Sequence, residues 1–355
     1  MADSLELGGE VARMDLGART GFDSGDAASL GAHPVLSDAS AAAGLFERIV
    51  ENISRVVQGN DEAIRLAVTC LVAGGHLLVE DVPGVGKTSL GKALSASVSC
   101  RHRRIQFTSD LLPSDVTGVS VFDATKTSFE FRPGPIFANI VLGDEINRTP
   151  PKTQSALLES MEERQVTVDG HTYKLPDPFM VIATQNPIEH EGTFPLPVSQ
   201  LDRFLLRIQI GYPDEESEVV ILETHGVSEP LETLKAVATP EDVVALATRA
   251  RAVHVSPLIQ HYIVQIANGT RAHPSVALGM SPRAALALQR AARARAVLEG
   301  RDFVAPDDVK AMASAVIGHR LELRASAGRG RSPVRTVLEE VLRAVPVPDQ
   351  TTGRR

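Results

Sequence analysis

Residues 76–98 read HLLVEDVPGVGKTSLGKALSASV, an apolar run, a glycine-bearing loop and then a stretch of helical character from Lys87. A short continuous apolar run bounded by a turn has the pattern of a strand buried on both faces. The loop DVPGVGKT (81–88) between strand and helix is a phosphate cradle. Backbone N–H groups at a helix N-terminus point at phosphate oxygens, Lys87 reaches the outer phosphates, and Thr88 can ligate Mg²⁺. Gly84 and Gly86 allow close approach of the backbone, and Pro83, Val85 and Ser89 complete the loop and its first helical turn. The full pattern GxxxxGK[ST] has Gly where this chain has Asp81. Asp tolerates unusual backbone conformations better than most residues, provided that its carboxylate turns away from the phosphates.

Working outward, RIQF (104–107), NIVLGDE (139–145), FMVIAT (179–184) and FLLRIQI (204–210) repeat the buried-strand signature, with helical stretches between them. Five such strands predict an α/β fold built on a doubly wound parallel sheet. Upstream, Leu45, Ile49, Ile53 and Val56 recur at helical spacing, followed by a second helix over 61–73. VTGVSVFDATKTSFEFRPGP (116–135) and RQVTVDGHTYKL (164–175) alternate apolar and polar residues around turns, which reads as two hairpins grafted on the core. Beyond Pro213, helical spacing over 214–225, 240–251, 256–269, 281–299, 305–316 and 334–344 predicts a second, all-helical unit.

Open parallel sheets present chemistry at the carboxyl ends of their strands. IVLGDE (140–145) places Asp144 and Glu145 there. Asp144 suits a water-mediated contact to Mg²⁺, and Glu145 suits a general base toward an attacking water. Asn186 ends the fourth strand and can orient that water through its amide. Arg203, opening the fifth strand, and Arg283, opening a helix of the second unit, can each bring a guanidinium to phosphate, although ion pairing is the ordinary use of an arginine.

The whole chain of 355 residues, 43% hydrophobic and 23% charged, fits two folded units. A formal charge of −8 argues against a dedicated DNA-binding chain. Cys70 and Cys100 lack zinc-site or disulfide-framework spacing and read as structural thiols. The most apolar stretch, 63–79, is interrupted by Arg65 and Gly74-Gly75, so no membrane span is expected. Without a signal-peptide pattern, the expected location is cytoplasmic. Residues 1–40 read as a disordered acidic tail, 41–213 as the α/β core, 214–345 as the helical unit and 346–355 as a flexible tail.

VPGVGKT, FTSDLLPSDVTG (107–118), the stretch 134–170 containing IVLGDEINRTPPKTQSALLESMEERQ, VIATQNPIEHEGTFPLPVSQLDRF (181–204) and GMSPRA (279–284) together resemble the MoxR family of AAA+ ATPases over about residues 45–345. The resemblance implies strand order 5-1-4-3-2, a helix-two insert and a pre-sensor hairpin at the two grafted hairpins, and a helical lid. It implies ATP and Mg²⁺ as ligands, Lys87 and Thr88 as Walker A, Asp144 and Glu145 as Walker B, Asn186 as sensor 1 and Arg283 as sensor 2. Arg203 becomes an arginine finger acting on the neighbouring subunit's nucleotide, hence a homo-oligomeric ring, most simply a hexamer. Val57, Gln58 and Gly59 match the adenine pocket, and Gln106 becomes a polar partner restraining Glu145.

The implied activity is ATP hydrolysis coupled to chaperone-like remodelling or maturation of client proteins with a von Willebrand factor A domain partner. This chain has no complete DxSxS motif of its own. Two alternatives are a nucleic-acid motor or loader and a nucleotide-gated switch without turnover. The hairpin tips 124–128 and 168–172 carry one Lys and one His, and Tyr173 is the aromatic read there for base stacking, which disfavours the motor. Glu145 disfavours the switch. Three features depart from the family pattern: Asp81, Val198-Ser199 where an acid is common, and the two tails with Arg329, Arg331, Arg354 and Arg355.

Overall fold

In the computed structural model, residues 38–187, 192–225, 230–324 and 333–348 are described. Both tails lie almost wholly outside these residues, as do Arg329 and Arg331. The chain runs α1 (Ala39–Ser54), α2 (Asp61–Val72), β1 (Leu77–Glu80), α3 (Lys87–Ser97), β2 (His102–Gln106), α4 (Pro113–Thr117), β3 (Gly118–Asp123), β4 (Ser128–Pro133), β5 (Ile140–Asp144) and α5 (Pro151–Glu163). It continues through β6 (Gln165–Val168), β7 (His171–Lys174), β8 (Met180–Gln185), α6 (Val198–Leu201), β9 (Leu206–Ile208), α7 (Glu215–His225), α8 (Pro240–Ala252) and α9 (Pro257–Ala272). The last elements are β10 (Val276–Leu278), α10 (Pro282–Leu298), α11 (Pro306–Ile317), β11 (Glu322–Leu323) and α12 (Pro333–Ala344). The first helix starts at Ala39, where Asp38 accepts a hydrogen bond from the Ala41 amide, so the acid expected in the tail is its N-cap.

The main sheet has the order β2-β5-β8-β1-β9, all parallel. Counting only these five strands, that is 5-1-4-3-2 from the β9 edge. Alternate residues of β1 face opposite sides. Leu77 and Val79 join a core with α1, α2, α3 and the C-terminal helices, while Leu78 joins Phe107, Leu157 and Phe179 beneath α5. The C-terminal helices therefore share one continuous core with the sheet. Ile182, fully buried in the central region, illustrates the energetics: truncation to Ala costs about 2–5 kcal/mol.

The two hairpins form as β3–β4 and β6–β7. Two expectations need correction. RIQF is not buried on both faces: β2 is an edge strand, and Arg104 and Gln106 are exposed on it. The C-terminal unit is not wholly helical either, because β10 and β11 pair antiparallel. These are two- and three-residue pieces of extended chain beside helix ends, too short to leave a period-2 signal. Its helices α8 to α12 each begin with Pro, whose fixed φ suits the first helical turn. Among the described residues no helix is long and apolar enough to cross a membrane. Cys70 and Cys100 are free and buried, and burial pushes both thiols up to about 12.

Candidate active site

The loop after β1 has the backbone of a cradle. Gly84 and Gly86 sit at φ of +89° and +88°, and a Cβ at either would meet nothing within 4 Å. Left-handed backbone, not crowding, therefore demands glycine at both positions. Gly86 is the N-cap of α3 without a side-chain cap, which leaves the first amides of the helix aimed into the loop. The Lys87 ammonium donates to the carbonyls of Asp81 (2.7 Å) and Val82 (3.2 Å) at the loop entrance.

Asp81, the departure from the glycine pattern, is buried, and its carboxylate turns from the loop toward the end of the sheet. It accepts from the amides of Val82 (2.9 Å), Ile210 (2.7 Å) and Gly211 (2.6 Å). Charged acceptors bind backbone N–H groups about twice as strongly as neutral ones. Asp81 thus fastens the phosphate loop to the segment that leads out of the sheet after β9.

Asp144 and Glu145 lie on the same carboxyl edge. Val79 and Glu80 of β1 stand in register with Thr184 and Gln185 of β8. The Thr184 hydroxyl donates to Asp144 Oδ1 (2.6 Å) and accepts from the Glu145 amide (2.9 Å), so one side chain orients both acids. With strands about 4.8 Å apart, the acids stand about 10 Å across the sheet from the end of β1. Glu145 has a left-handed φ of +59°, which re-aims its side chain at the strand end. Asn186 is buried directly after β8 on this edge.

A polar chain on β2 restrains the acids. Arg104 donates to Asp144 Oδ2 (2.7 Å) and to the Gln106 side-chain oxygen (2.5 Å), and Gln106 donates to Glu145 Oε2 (2.9 Å). Arg148 pairs with the same Glu145 oxygen at 3.1 Å. Sequence reasoning named Gln106 but missed Arg104, Arg148 and Thr184. Arg104 lies two residues before Gln106, on the same face of a period-2 strand, and that spacing could have found it.

Val57, Gln58 and Gly59 follow α1. Val57 is buried, and Gly59 (φ +76°) packs so closely on Ser217 and Pro213 that a Cβ would sit 2.8 Å from Ser217. This segment therefore meets the chain where it enters α7.

Arg203 and Arg283 do not join the phosphate loop of their own chain. Arg203 Nε lies 3.2 Å from one oxygen of Glu162, and Arg283 donates to the other at 2.8 Å. Glu162 follows Met161, whose carbonyl contacts His76 at the start of β1 (3.0 Å), and the Leu205 amide donates to the His76 carbonyl (2.8 Å). The pair thus occupies the amino edge of the sheet, a strand length of about 13 Å from the carboxyl edge. Glu162 was not legible in the sequence, since nothing local distinguishes it from Glu159 or Glu163.

The hairpins also revise the aromatic reading. Tyr173 is stacked on Phe131 (4.1 Å between centroids, 15°), whereas Phe122 and Phe129 form an exposed edge-to-face pair on β3–β4. Tyr173 is therefore engaged internally, and the exposed rings belong to the other hairpin.

Residues 76–206 match the ATPase family associated with various cellular activities (AAA), and residues 268–341 match the AAA lid domain. The chain is 50% identical over 311 residues to the uncharacterized protein YeaC of Bacillus subtilis (strain 168), covering 88% of this chain and 97% of that one. It is 39% identical over 312 residues to the chaperone MoxR1 of Mycobacterium tuberculosis, covering 85% and 82%. A crystal structure of a candidate ATPase from Cytophaga hutchinsonii superposes with a TM-score of 0.81 at 37% identity, covering 88% and 97%. With its cradle, its paired acids, its strand order and its lid accounted for, the chain belongs to the MoxR family of AAA+ ATPases.

Proposed function

We propose that the chain hydrolyses ATP to ADP and phosphate with Mg²⁺ in a homo-oligomeric ring, most simply a hexamer, and uses the cycle to remodel client proteins in the cytoplasm. Residues 41–213 act as the ATPase core and 214–345 as the lid. The observation that carries the ring is the split site: the phosphate loop, Asp144, Glu145 and Asn186 share the carboxyl edge, while Arg203 and Arg283 stand at the amino edge on Glu162. A chain whose arginines face away from its own phosphate loop needs a second copy to complete the pocket.

In this reading the amides of 84–88 and the Lys87 ammonium hold the phosphates, and Val57, Gln58 and Gly59 border the adenine. The Thr88 hydroxyl and the Asp144 carboxylate are hard oxygen donors, which fits Mg²⁺ held jointly with phosphate and water. Bound there, the ion would supply positive charge against the phosphates. Glu145 takes the proton of the attacking water once it leaves Gln106 and Arg148, and Asn186 orients that water. Arg203 and Arg283 of the adjoining copy meet the charge that develops on the transferred group.

The name of the mycobacterial relative supports a chaperone role. The first hairpin supports it as well. Its exposed Phe122 and Phe129 lie among Asp123, Lys126, Glu130 and Arg132, a charge-balanced apolar surface suited to polypeptide rather than to a phosphate backbone. A von Willebrand factor A domain protein is the expected partner.

Glu145→Gln should retain ATP while losing hydrolysis by about 10²-fold or more, and Arg203→Ala should do the same by about 10³-fold or more. Full turnover by either variant overturns the assignment. Stimulation of hydrolysis by single-stranded DNA, with no response to unfolded protein, would favour the nucleic-acid motor instead.

A further inference from the structure

Among the described residues Arg320 is an exceptional arginine, 4% exposed in the turn after α11 and packed against the turn that carries Arg203. Its Nε donates to Asp202 Oδ1 at 2.6 Å, and its Nη2 donates to the carbonyls of Asp202 (3.2 Å) and Phe204 (2.5 Å). Nη1 donates to the Leu205 carbonyl (3.1 Å) and to the carbonyl of Val316 in the last turn of α11. The guanidinium therefore grips the backbone on both sides of Arg203 while leaving the Arg203 side chain outside. Two neighbours reinforce the grip from the lid. The His319 ring contacts the Phe204 carbonyl at 3.0 Å, and the Ser281 hydroxyl lies 3.5 Å from Asp202 Oδ2.

A buried charge is costly unless its donors are satisfied. Fold stability alone would be served as well by an apolar residue of similar volume. What an apolar residue cannot do is fix the carbonyls of Asp202, Phe204 and Leu205 at set positions, because only the planar fork has donors in that arrangement. The same lid also supplies Arg283 to Glu162, which holds Arg203. The carbonyl grip and the shared carboxylate join the turn over 202–205 to the first turn of α10 and the turn that follows α11.

We propose that Arg320 is a positioning residue for the trans-acting arginine: it sets the Asp202–Leu205 backbone so that Arg203 projects toward the adjoining copy's nucleotide, and it makes lid position and arginine position a single variable. This rests on the reading that Arg203 serves a neighbouring pocket. Arg320 itself touches neither nucleotide nor water. A positioning role places its defect on one side of the subunit boundary only.

The test is subunit mixing with full-length chains. Arg320→Lys keeps the charge but loses the fork, and should lower kcat by about 10²-fold, the usual cost of a misplaced group, with ATP affinity unchanged within about threefold. Mixed with Glu145→Gln, whose arginine is intact, it should regain hydrolysis. Mixed with Arg203→Ala it should not. Asp202→Asn, which removes the charged acceptor at a less buried site, should follow the same pattern and serves if Arg320→Lys does not fold. Glu145→Gln mixed with Arg203→Ala is the control: failure of that pair to recover activity refutes the shared pocket itself. If the control recovers, the proposal is overturned by wild-type kcat in both variants, by rescue with Arg203→Ala, or by loss of ATP binding that accounts for the fall in rate.

Discussion

Arg203, from the turn before β9, and Arg283, from the first turn of α10, meet on opposite oxygens of one carboxylate, at 3.2 and 2.8 Å from Glu162. Eighty residues of chain separate them, and one belongs to the core and the other to the lid. Their convergence means that the two units present a common cationic face away from their own phosphate loop.

In the proposed ring, Glu162 would compete with phosphate for both guanidiniums. The ion pairs are partly exposed, so each is worth about 0.2–1 kcal/mol. Glu162→Gln should therefore lower the protein concentration for half-maximal ATPase by roughly two- to thirtyfold. Measuring rate against protein concentration checks this, and a shift to higher concentration would show that Glu162 orients the arginines instead of holding them back.

Arg104 occupies one oxygen of the acid assigned to the metal. Arg104→Ala should lower the Mg²⁺ concentration for half-maximal hydrolysis by about two- to fivefold, the range for a half-exposed pair. A Mg²⁺ titration at saturating ATP reads this directly.

Restoring the family glycine at position 81 should weaken the protein. Asp81→Gly strips acceptors from the amides of Val82, Ile210 and Gly211, and hydrogen bonds to a charged group contribute about 1.5–3 kcal/mol each before water compensates. We expect a loss of about 2–4 kcal/mol in urea unfolding followed by circular dichroism. Asp81→Asn should lose less, since one amide oxygen remains as an acceptor.

Three buried or half-buried histidines make the fold acid-sensitive. His76 accepts from the Val181 amide through Nδ1, so its Nε2–H donates to the Met161 carbonyl and the ring is neutral. Burial pushes His76 from 6.5 down to about 3 and His102 down to about 4, and it also lowers His319. Because the unfolded chain takes up these protons first, stability is full above about pH 6.5 and falls as pH drops toward the folded values. Each group contributes a slope of up to roughly 1.4 kcal/mol per pH unit. His76→Gln should flatten the urea midpoint between pH 6 and 4 relative to the native chain, and an unchanged slope would count against a neutral His76.

The strands around Leu78, Leu142 and Ile182 were legible because a sheet covered on both faces demands unbroken apolar runs. The candidate site was read from them, since Asp144, Glu145 and Asn186 stand at or beside strand ends and Lys87 and Thr88 open the helix after β1. Edge strand β2 was read as buried because Ile105 and Phe107 face inward while Arg104 and Gln106 carry the polar signal. The short pair β10–β11 left no pattern at all. Gln106 was assigned through the family resemblance; the period-2 spacing put Arg104 on the same face, and the pairing of β2 with β5 supplied its partner Asp144.

By itself, the sequence determined the local chemistry: glycines where φ is left-handed, a lysine at a helix start, acids at a strand end and prolines at helix starts. Each of these depends on a few neighbouring residues. Tertiary structure alone decided that Asp81 reaches Ile210, that Glu162 collects Arg203 and Arg283, and that Arg320 grips the backbone around Arg203. Those contacts join residues about 40 to 130 positions apart, and a charged side chain carries no mark of its partner until packing removes water from between them.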